Sequence, residues 1–183
     1  CALPISEIYN FRSLAFFSKA VERVGEESYP IHIKLDTGMH RLGFMEGELE
    51  RLTETLGETP SVKVATIFSH LNCSDMPQED RYTREQIARF DRMSGRLAAA
   101  LPYPVLRHTA NSAAIERFPE AQFDMCRLGL GLYGFGFEHN DELRPVSTLK
   151  SRIVQLKHLS AGEAVGYGRA GKLTRDSVTA TVP

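Results

Sequence analysis

The feature that most constrains the fold of this chain is a regular alternation of helical and extended patterns. In the helical stretches apolar residues step by three and four positions, and short runs of β-branched and apolar residues lie between them. The two patterns alternate four times at intervals of roughly 30 to 45 residues, which is typical of βα units that build a parallel sheet. The alternation therefore predicts an α/β protein.

The pattern also predicts where the elements lie. The helices are expected along the stripe Ile8, Phe11, Leu14, Phe17, Val21 and Val24, around Leu49, Leu52 and Leu56 up to Gly57, after a capping box at Thr83 to Gln86, and from Ser112 to Arg117. The strands are expected at Ile31 to Leu35, Val62 to Phe68, Pro104 to His108 and Phe123 to Leu128.

The composition and hydrophobic pattern of the sequence change after Tyr133. The stretch from Gly134 to Pro145 contains Gly, Asp and Pro and resembles a link, whereas Leu149 to Val182 contains short β-like runs separated by glycine-containing turns. We therefore predict one domain over residues 1–149 and the first strands of an all-β domain over residues 150–183.

Composition and chain ends narrow the class of protein. The net charge of −1 argues against a nucleic-acid partner, and no apolar run is long enough to span a membrane. The three cysteines, Cys1, Cys73 and Cys126, share no metal-ligand spacing, which favours a reducing, cytoplasmic setting without disulfides or a metal site.

Because the chain opens with Cys1 rather than Met and stops within a strand-like run at Pro183, we interpret it as an internal segment of a longer protein.

Polar residues follow each predicted strand at the point where it ends. These segments are Lys34 to Gly43, Ser69 to Asn72, His108 to Ser112 and Arg127 to Gly129. In parallel α/β barrels the active site is built from the carboxyl ends of the strands. If these positions only packed against the core, aliphatic residues would be more favourable, because a buried polar group without a hydrogen-bond partner costs free energy. The pattern predicts a functional site at this end of the sheet.

The segment around Ser112 has the character of a phosphate site. Asn111 and Ser112 open a short helix directly after a strand, where free N–H groups attract anions. Gly129 and Gly131 would let the backbone approach the same phosphate closely. The alternative is that Ser112 only caps the helix and that the glycines are ordinary loop residues.

Four motifs resemble those of alanine racemases and occur in that family's order. They are Lys34 to Phe44 (KLDTGMHRLGF), His108 to Ala114 (HTANSAA), Met125 to Gly134 (MCRLGLGLYG) and Val165 to Gly168 (VGYG). The resemblance implies the second half of a pyridoxal-phosphate-binding (β/α)8 TIM barrel, followed by the start of a β domain. It also implies an enzyme that interconverts L- and D-alanine, supplies D-alanine for peptidoglycan, and works as a homodimer with shared active sites. His40 is similar to the residue found in racemase domains fused to a muramoyl-peptide ligase.

The resemblance also implies roles for individual residues. Arg127 matches the arginine that donates to the cofactor's pyridine nitrogen, and a guanidinium that keeps its proton leaves that nitrogen unprotonated. Tyr167 matches a catalytic base supplied by the partner subunit; racemisation needs proton removal on one face of the α-carbon and delivery on the other. His70 matches a histidine beside the cofactor ring, and His108 one that holds the arginine. Outside the motifs, these residues would be read as an ion-pair arginine, a turn tyrosine and structural histidines.

The remaining implied contacts involve the cofactor and the substrate. Arg41 matches an arginine for the cofactor's phenolic oxygen and the substrate carboxylate, and Lys34 matches a lysine that is carbamylated in some members. The other matches to cofactor and phosphate contacts are Asn111, Ser112, Gly129 and Leu130. We expect Asp36 to shape its turn rather than to take part in chemistry.

One expected element has no match. In the family, the lysine that bonds covalently to the cofactor lies in a Lys-Ala-Asn-Ala-Tyr-like segment, and no stretch of the 183 residues resembles it. We therefore predict that this polypeptide alone is inactive. The alternatives are a non-catalytic pyridoxal-phosphate-binding barrel, a vestigial racemase-like domain of a fusion protein, and a related barrel decarboxylase, in which an acidic group would face the pyridine nitrogen instead of Arg127.

Overall fold

A computed structural model describes residues 6–138 and 140–183 of the chain, so Cys1 lies outside the described residues. The chain divides into two compact units, of which the first ends at Pro145 and the second runs from Val146 to Pro183.

The first unit consists of four βα units. Its elements are β1 (Ser6–Ile8), α1 (Phe11–Arg23), β2 (Tyr29–Lys34), α2 (Leu49–Gly57), β3 (Val62–Phe68), α3 (Asp80–Ala100), β4 (Leu106–His108) and α4 (Ser112–Arg117). The strands pair in parallel in the order β1-β2-β3-β4, so each helix connects two neighbouring strands or follows the last. The predicted α/β class is confirmed, and β3 and α4 have the predicted bounds.

The apolar core lies between one face of the sheet and the helices. Ile31, Ile33 and Leu35 are fully buried there against residues of α1, α2 and α3 such as Leu52 and Phe90. Burying these side chains supplies the main stabilisation of the unit, because each is worth roughly 1.5–3 kcal/mol when removed from water.

The opposite face of the sheet is polar. Side chains alternate across a strand, so His32 and Lys34 project to the face that the helices do not cover. Between β2 and β3 the register shifts: Ile31 pairs with Val64, but His32 pairs with Thr66. This irregularity puts Thr66 directly opposite His32 on the polar face.

Two helix starts differ from the predictions. Ile8 is a buried residue of β1, because Asn10 and Ser13 form a capping box that starts α1 after it. The predicted capping box at Thr83 to Gln86 is also wrong: α3 begins at Asp80, after a 3₁₀ turn that starts with Pro77. Thr83 and Gln86 lie on the buried side of that helix.

The predicted last strand, Phe123 to Leu128, does not form. Phe123 has a φ of 49°, in the left-handed region, which breaks an extended run. The carboxylate of Asp124 accepts the N–H of Arg107 at 2.8 Å and takes the donor that a strand ladder would use. Only single backbone bonds, such as Arg127 N–H to the Ala110 carbonyl at 3.0 Å, join the segment to β4 and its loop.

The second unit contains two antiparallel pairs of strands. β5 (Gln155–Leu159) pairs with β8 (Ser177–Thr181), and β6 (Ala164–Val165) pairs with β7 (Gly171–Lys172). This agrees with the predicted start of an all-β domain.

Candidate cofactor site at the strand ends

A cavity of about 450 Å³ opens at the carboxyl ends of β3 and β4. Six of the predicted site residues line it: His70, Asn111, Ser112, Arg127, Gly129 and Leu130. They come from three separate segments of the chain, which the parallel sheet brings to one edge. Met39, Leu71, Asn72, Ser74, Asp75, Ala113 and Leu128 complete the lining.

Arg127 is held from several sides. Its Nη2 donates to the Ser69 carbonyl at 2.8 Å and the Thr109 carbonyl at 3.2 Å, while its Nη1 lies 2.8 Å from Nδ1 of His108. Its guanidinium also stacks over the Phe68 ring, at 5.2 Å from the centroid. Burial lowers the pKa of Arg127, but a guanidinium stays charged at any ordinary pH. Among the described residues no carboxylate pairs with this charge.

The two histidines beside Arg127 are both acceptors. A guanidinium can only donate, so Nδ1 of His108 and Nδ1 of His70, the latter 3.2 Å from Nη2, must each present a lone pair. Burial and the positive charge of Arg127 lower the pKa of both imidazoles, that of His108 to about 4. Both rings are therefore neutral at pH 7 and carry their proton on Nε2.

Ser112 and the glycines after Arg127 form a cradle of hydrogen-bond donors. The Ser112 hydroxyl oxygen accepts the N–H of Gly129 at 2.9 Å and of Gly131 at 3.2 Å. In the described part of the chain, the N–H groups of Ser112, Ala113 and Leu130 have no acceptor, and all three residues line the cavity. A side chain at position 131 could not be accommodated without movement, since its Cβ would meet Leu128 at 2.8 Å.

Asn111, rather than Ser112, caps the helix α4. Its Oδ1 accepts the N–H of Ala114 at 3.0 Å and the hydroxyl of Ser74 at 2.8 Å, and its Nδ2 donates to the Leu71 carbonyl at 3.3 Å. Asn111 therefore joins α4 to the loop after β3. Because the capping role falls to Asn111, the alternative in which Ser112 is only the helix cap does not apply.

Lys34 and Arg41 lie outside the lining of this cavity. Lys34 is buried at the end of β2 and pairs with Glu7 at 3.0 Å. Arg41 is exposed, although its charge contributes to lowering the pKa of His70. Between them, Asp36 accepts the N–H groups of Gly38 at 2.9 Å and His40 at 3.0 Å, which shapes the turn.

Tyr167 belongs to the second unit. It begins a 3₁₀ turn between Gly166 and Ala170, and its side chain is fully exposed. Gly166 and Gly168 have φ values of 84° and 64°, a conformation that glycine adopts without strain and that presents the tyrosine at the tip of the turn.

Three residues of the site were given no individual role by the sequence, although Ser69 and Met39 lie within the predicted strand-end segments. Thr66 accepts from His108, Ser69 offers its carbonyl to Arg127, and Met39 lines the cavity. A threonine within a buried strand gives no sequence signal of its own, because β-branched residues are common there. Within the described ranges no group of three or more His, Cys, Asp or Glu side chains could hold a metal ion, and no helix is long and apolar enough to cross a membrane.

A parallel sheet of βα units with a donor-rich cavity at its strand ends is typical of the class of (β/α)8 barrel proteins, which build their sites at that edge. Family models give the particular family. The model described as "Alanine racemase, N-terminal domain" matches residues 8–136, and "Alanine racemase, C-terminal domain" matches residues 146–183. The chain belongs to the alanine racemase family.

Individual relatives agree with this assignment. The chain is 37% identical over 155 residues to the alanine racemase of Sorangium cellulosum, a match that covers 84% of the chain and 41% of the relative. It superimposes on the alanine racemase of Streptomyces lavendulae with a TM-score of 0.80 and 28% identity, covering 96% of the chain and 48% of that structure. For the Bartonella henselae alanine racemase with covalently bound pyridoxal phosphate, the TM-score is 0.69 and the identity 25%, with 97% and 48% covered. The chain thus spans about half the length of these relatives.

The pKa of His108 makes the stability of the protein depend on pH. The unfolded chain takes up a proton at this residue near pH 6.5, whereas the folded chain does so only at about 4. The free energy of unfolding should therefore fall as the pH drops from about 6.5 to about 4, by at most about 3 kcal/mol for this group. We expect His108→Gln to flatten urea-denaturation midpoints across this window. The same substitution at exposed His158 should leave the slope intact, and an equal slope in both variants would contradict the assignment.

Proposed function

We propose that this chain is the part of an alanine racemase that holds pyridoxal 5′-phosphate. The observation that carries the proposal is one cavity with two complementary sets of donors. Half-buried Arg127 brings a positive charge that forms no ion pair with a carboxylate of the described residues, and Ser112 and its neighbours bring free N–H groups. A planar ring with an acceptor nitrogen and an anionic phosphate would satisfy both sets.

The residues present fit this cofactor. The cradle of Ser112, Ala113 and Leu130 would hold the phosphate. Arg127 would donate to the ring nitrogen from its Nε–H, which makes no hydrogen bond within the described part of the chain. When bound, pyridoxal phosphate withdraws electrons from the substrate's α-carbon and makes its proton easier to remove. Because Arg127 keeps its own proton, the ring nitrogen would stay unprotonated, which weakens this withdrawal and limits side reactions.

The roles of the other residues follow from their positions. His70 uses Nδ1 as an acceptor, so its Nε2–H is left to donate, which suits the phenolic oxygen of Tyr167 supplied by a partner subunit. Tyr167 would be the base on one face of the α-carbon. Arg41 would bind the substrate carboxylate, and Lys34 would help orient it. Alanine is the proposed substrate, and D-alanine for peptidoglycan is the proposed product.

The match of the second unit supports a racemase over a non-catalytic barrel. Residues 146–183, which include Tyr167, match the C-terminal domain of the family. A barrel that only binds the cofactor has no use for a second catalytic base.

The phosphate role of Ser112 can be tested by cofactor affinity. In the full-length protein that carries this chain, Ser112→Ala should weaken binding of pyridoxal phosphate by about 10- to 100-fold, because it removes one hydrogen bond to a charged group. The titration would follow the cofactor's absorbance, with exposed Ser147→Ala as the matched control. Equal affinities in the two variants would contradict the proposed cradle.

The shared active site can be tested with mixed dimers. Tyr167→Phe and Arg127→Gln should each abolish most racemase activity. In the proposed dimer each site takes Arg127 from one subunit and Tyr167 from the other, so the two substitutions remove residues that different subunits supply. An equal mixture should recover roughly a quarter of the wild-type activity, because half of the dimers are mixed and half of their sites are intact. If both residues act within one subunit, mixing will recover none.

We also propose that the 183-residue polypeptide alone does not racemise alanine, because it has no match to the family's cofactor-bonding lysine segment. Circular dichroism of L-alanine incubated with the purified chain and pyridoxal phosphate should show no loss of signal. The full-length protein serves as the positive control. Sustained racemisation by the chain, in a sample from a host that lacks alanine racemases, would contradict the proposal.

A further inference from the structure

A line of hydrogen bonds crosses the polar face of the sheet behind Arg127. It passes from Nη1 of Arg127 to Nδ1 of His108 at 2.8 Å, and from Nε2 of His108 to Oγ1 of Thr66 at 3.1 Å. Thr66 also contacts Nδ1 of His32. We call Arg127, His108, Thr66 and His32 the relay; β2, β3 and β4 each contribute one of its members.

The bonds of the relay share one direction of donation, which starts at Arg127. Because the guanidinium can only donate, His108 must accept at Nδ1 and, being neutral, must donate from Nε2. Thr66 then accepts from His108, which leaves its own hydroxyl proton to donate to Nδ1 of His32. One hydroxyl group therefore satisfies both imidazoles.

The surroundings of the relay favour this arrangement. Thr66 and His108 are almost completely buried, so leaving either one unpaired would be costly. The Phe68 ring stacks on His108, with centroids 5.1 Å apart, and also lies against Arg127. The charged groups that face this region are Glu7 and Lys34, which pair with each other.

The register of the sheet makes the contact between Thr66 and His32 possible. The register shift between β2 and β3 brings Thr66, instead of Ala65, opposite His32. An uninterrupted ladder would put a methyl group there, and His32 would lose the hydroxyl that its Nδ1 contacts.

We propose that Thr66 and His32 are positioning residues that act on Arg127 through His108. With Arg127 they favour the one tautomer of His108 whose Nδ1 accepts from the guanidinium, because Thr66 supplies the acceptor for its Nε2–H. They thereby keep Arg127 directed at its place in the cavity. With the proton on Nδ1 instead, a donor would face a donor and Arg127 would have to turn away. This inference rests on the proposed function only for its kinetic consequence.

The tautomer of His108 gives a test that needs no cofactor. In the wild-type full-length protein without pyridoxal phosphate, ¹⁵N chemical shifts should show His108 protonated on Nε2 and bare on Nδ1. Thr66→Val has the same shape but no hydroxyl, and it should produce a mixture of tautomers. Thr66→Ser restores the hydroxyl and should restore the wild-type shifts, while Thr55→Val on the surface of α2 is the matched control.

The kinetic consequence is tested in the cofactor-loaded protein. Thr66→Val should lower kcat by about tenfold, the equivalent of one neutral hydrogen bond, with little change in KM. Thr66→Ser should rescue kcat, and His32→Gln, whose amide oxygen can still accept from Thr66, should cost less than His32→Phe.

The outcomes separate this inference from the proposed function. An unchanged His108 tautomer in Thr66→Val overturns the inference, and so does a changed tautomer that leaves kcat unaltered. A wild-type protein without racemase activity would instead refute the proposed function. In that case the tautomer of His108 in the cofactor-free protein would still show whether the relay exists.

Discussion

The site depends on one half-buried positive charge. The guanidinium of Arg127 is held by main-chain carbonyls and neutral imidazoles, and no described carboxylate forms an ion pair with it. A charge removed from water without a counter-ion is costly, and stable proteins retain one mainly where a ligand or a reaction needs it. Because carbonyl oxygens and bare ring nitrogens satisfy the donors only in part, the charge is available to an acceptor in the cavity.

The neutrality of the neighbouring histidines follows from the same charge. Burial and Arg127 together lower the pKa of His70 and His108, so each imidazole presents a lone pair to the guanidinium. Their Nε2–H groups face different surroundings. That of His108 donates to Thr66 in the sheet, whereas His70 lines the cavity. One arginine thus orders both the buried support of the site and the edge that faces the cavity.

Much of the fold was predictable because a helix or strand is encoded in a contiguous stretch of the sequence. Apolar spacing located α2, since periodicity records which side of a helix is buried, and a run of β-branched and apolar residues located β3. The failures were at places where a cap, a turn or a hydrogen bond decides between structures. Phe123 to Leu128 has a strand-like composition, but the left-handed backbone at Phe123 and the bond from Asp124 to Arg107 prevent a ladder.

The sequence by itself determined the class of fold, the edge of the sheet where the site lies and the family, because motifs at strand ends are contiguous in the chain. Only the tertiary structure decided that Asn111 caps α4 while Ser112 faces the cavity, and that Lys34 pairs with Glu7. It also joined Thr66 to His32 across two strands. The physical reason is that a hydrogen bond between distant residues depends on strand register, and the register shift between β2 and β3 leaves no mark in the sequence.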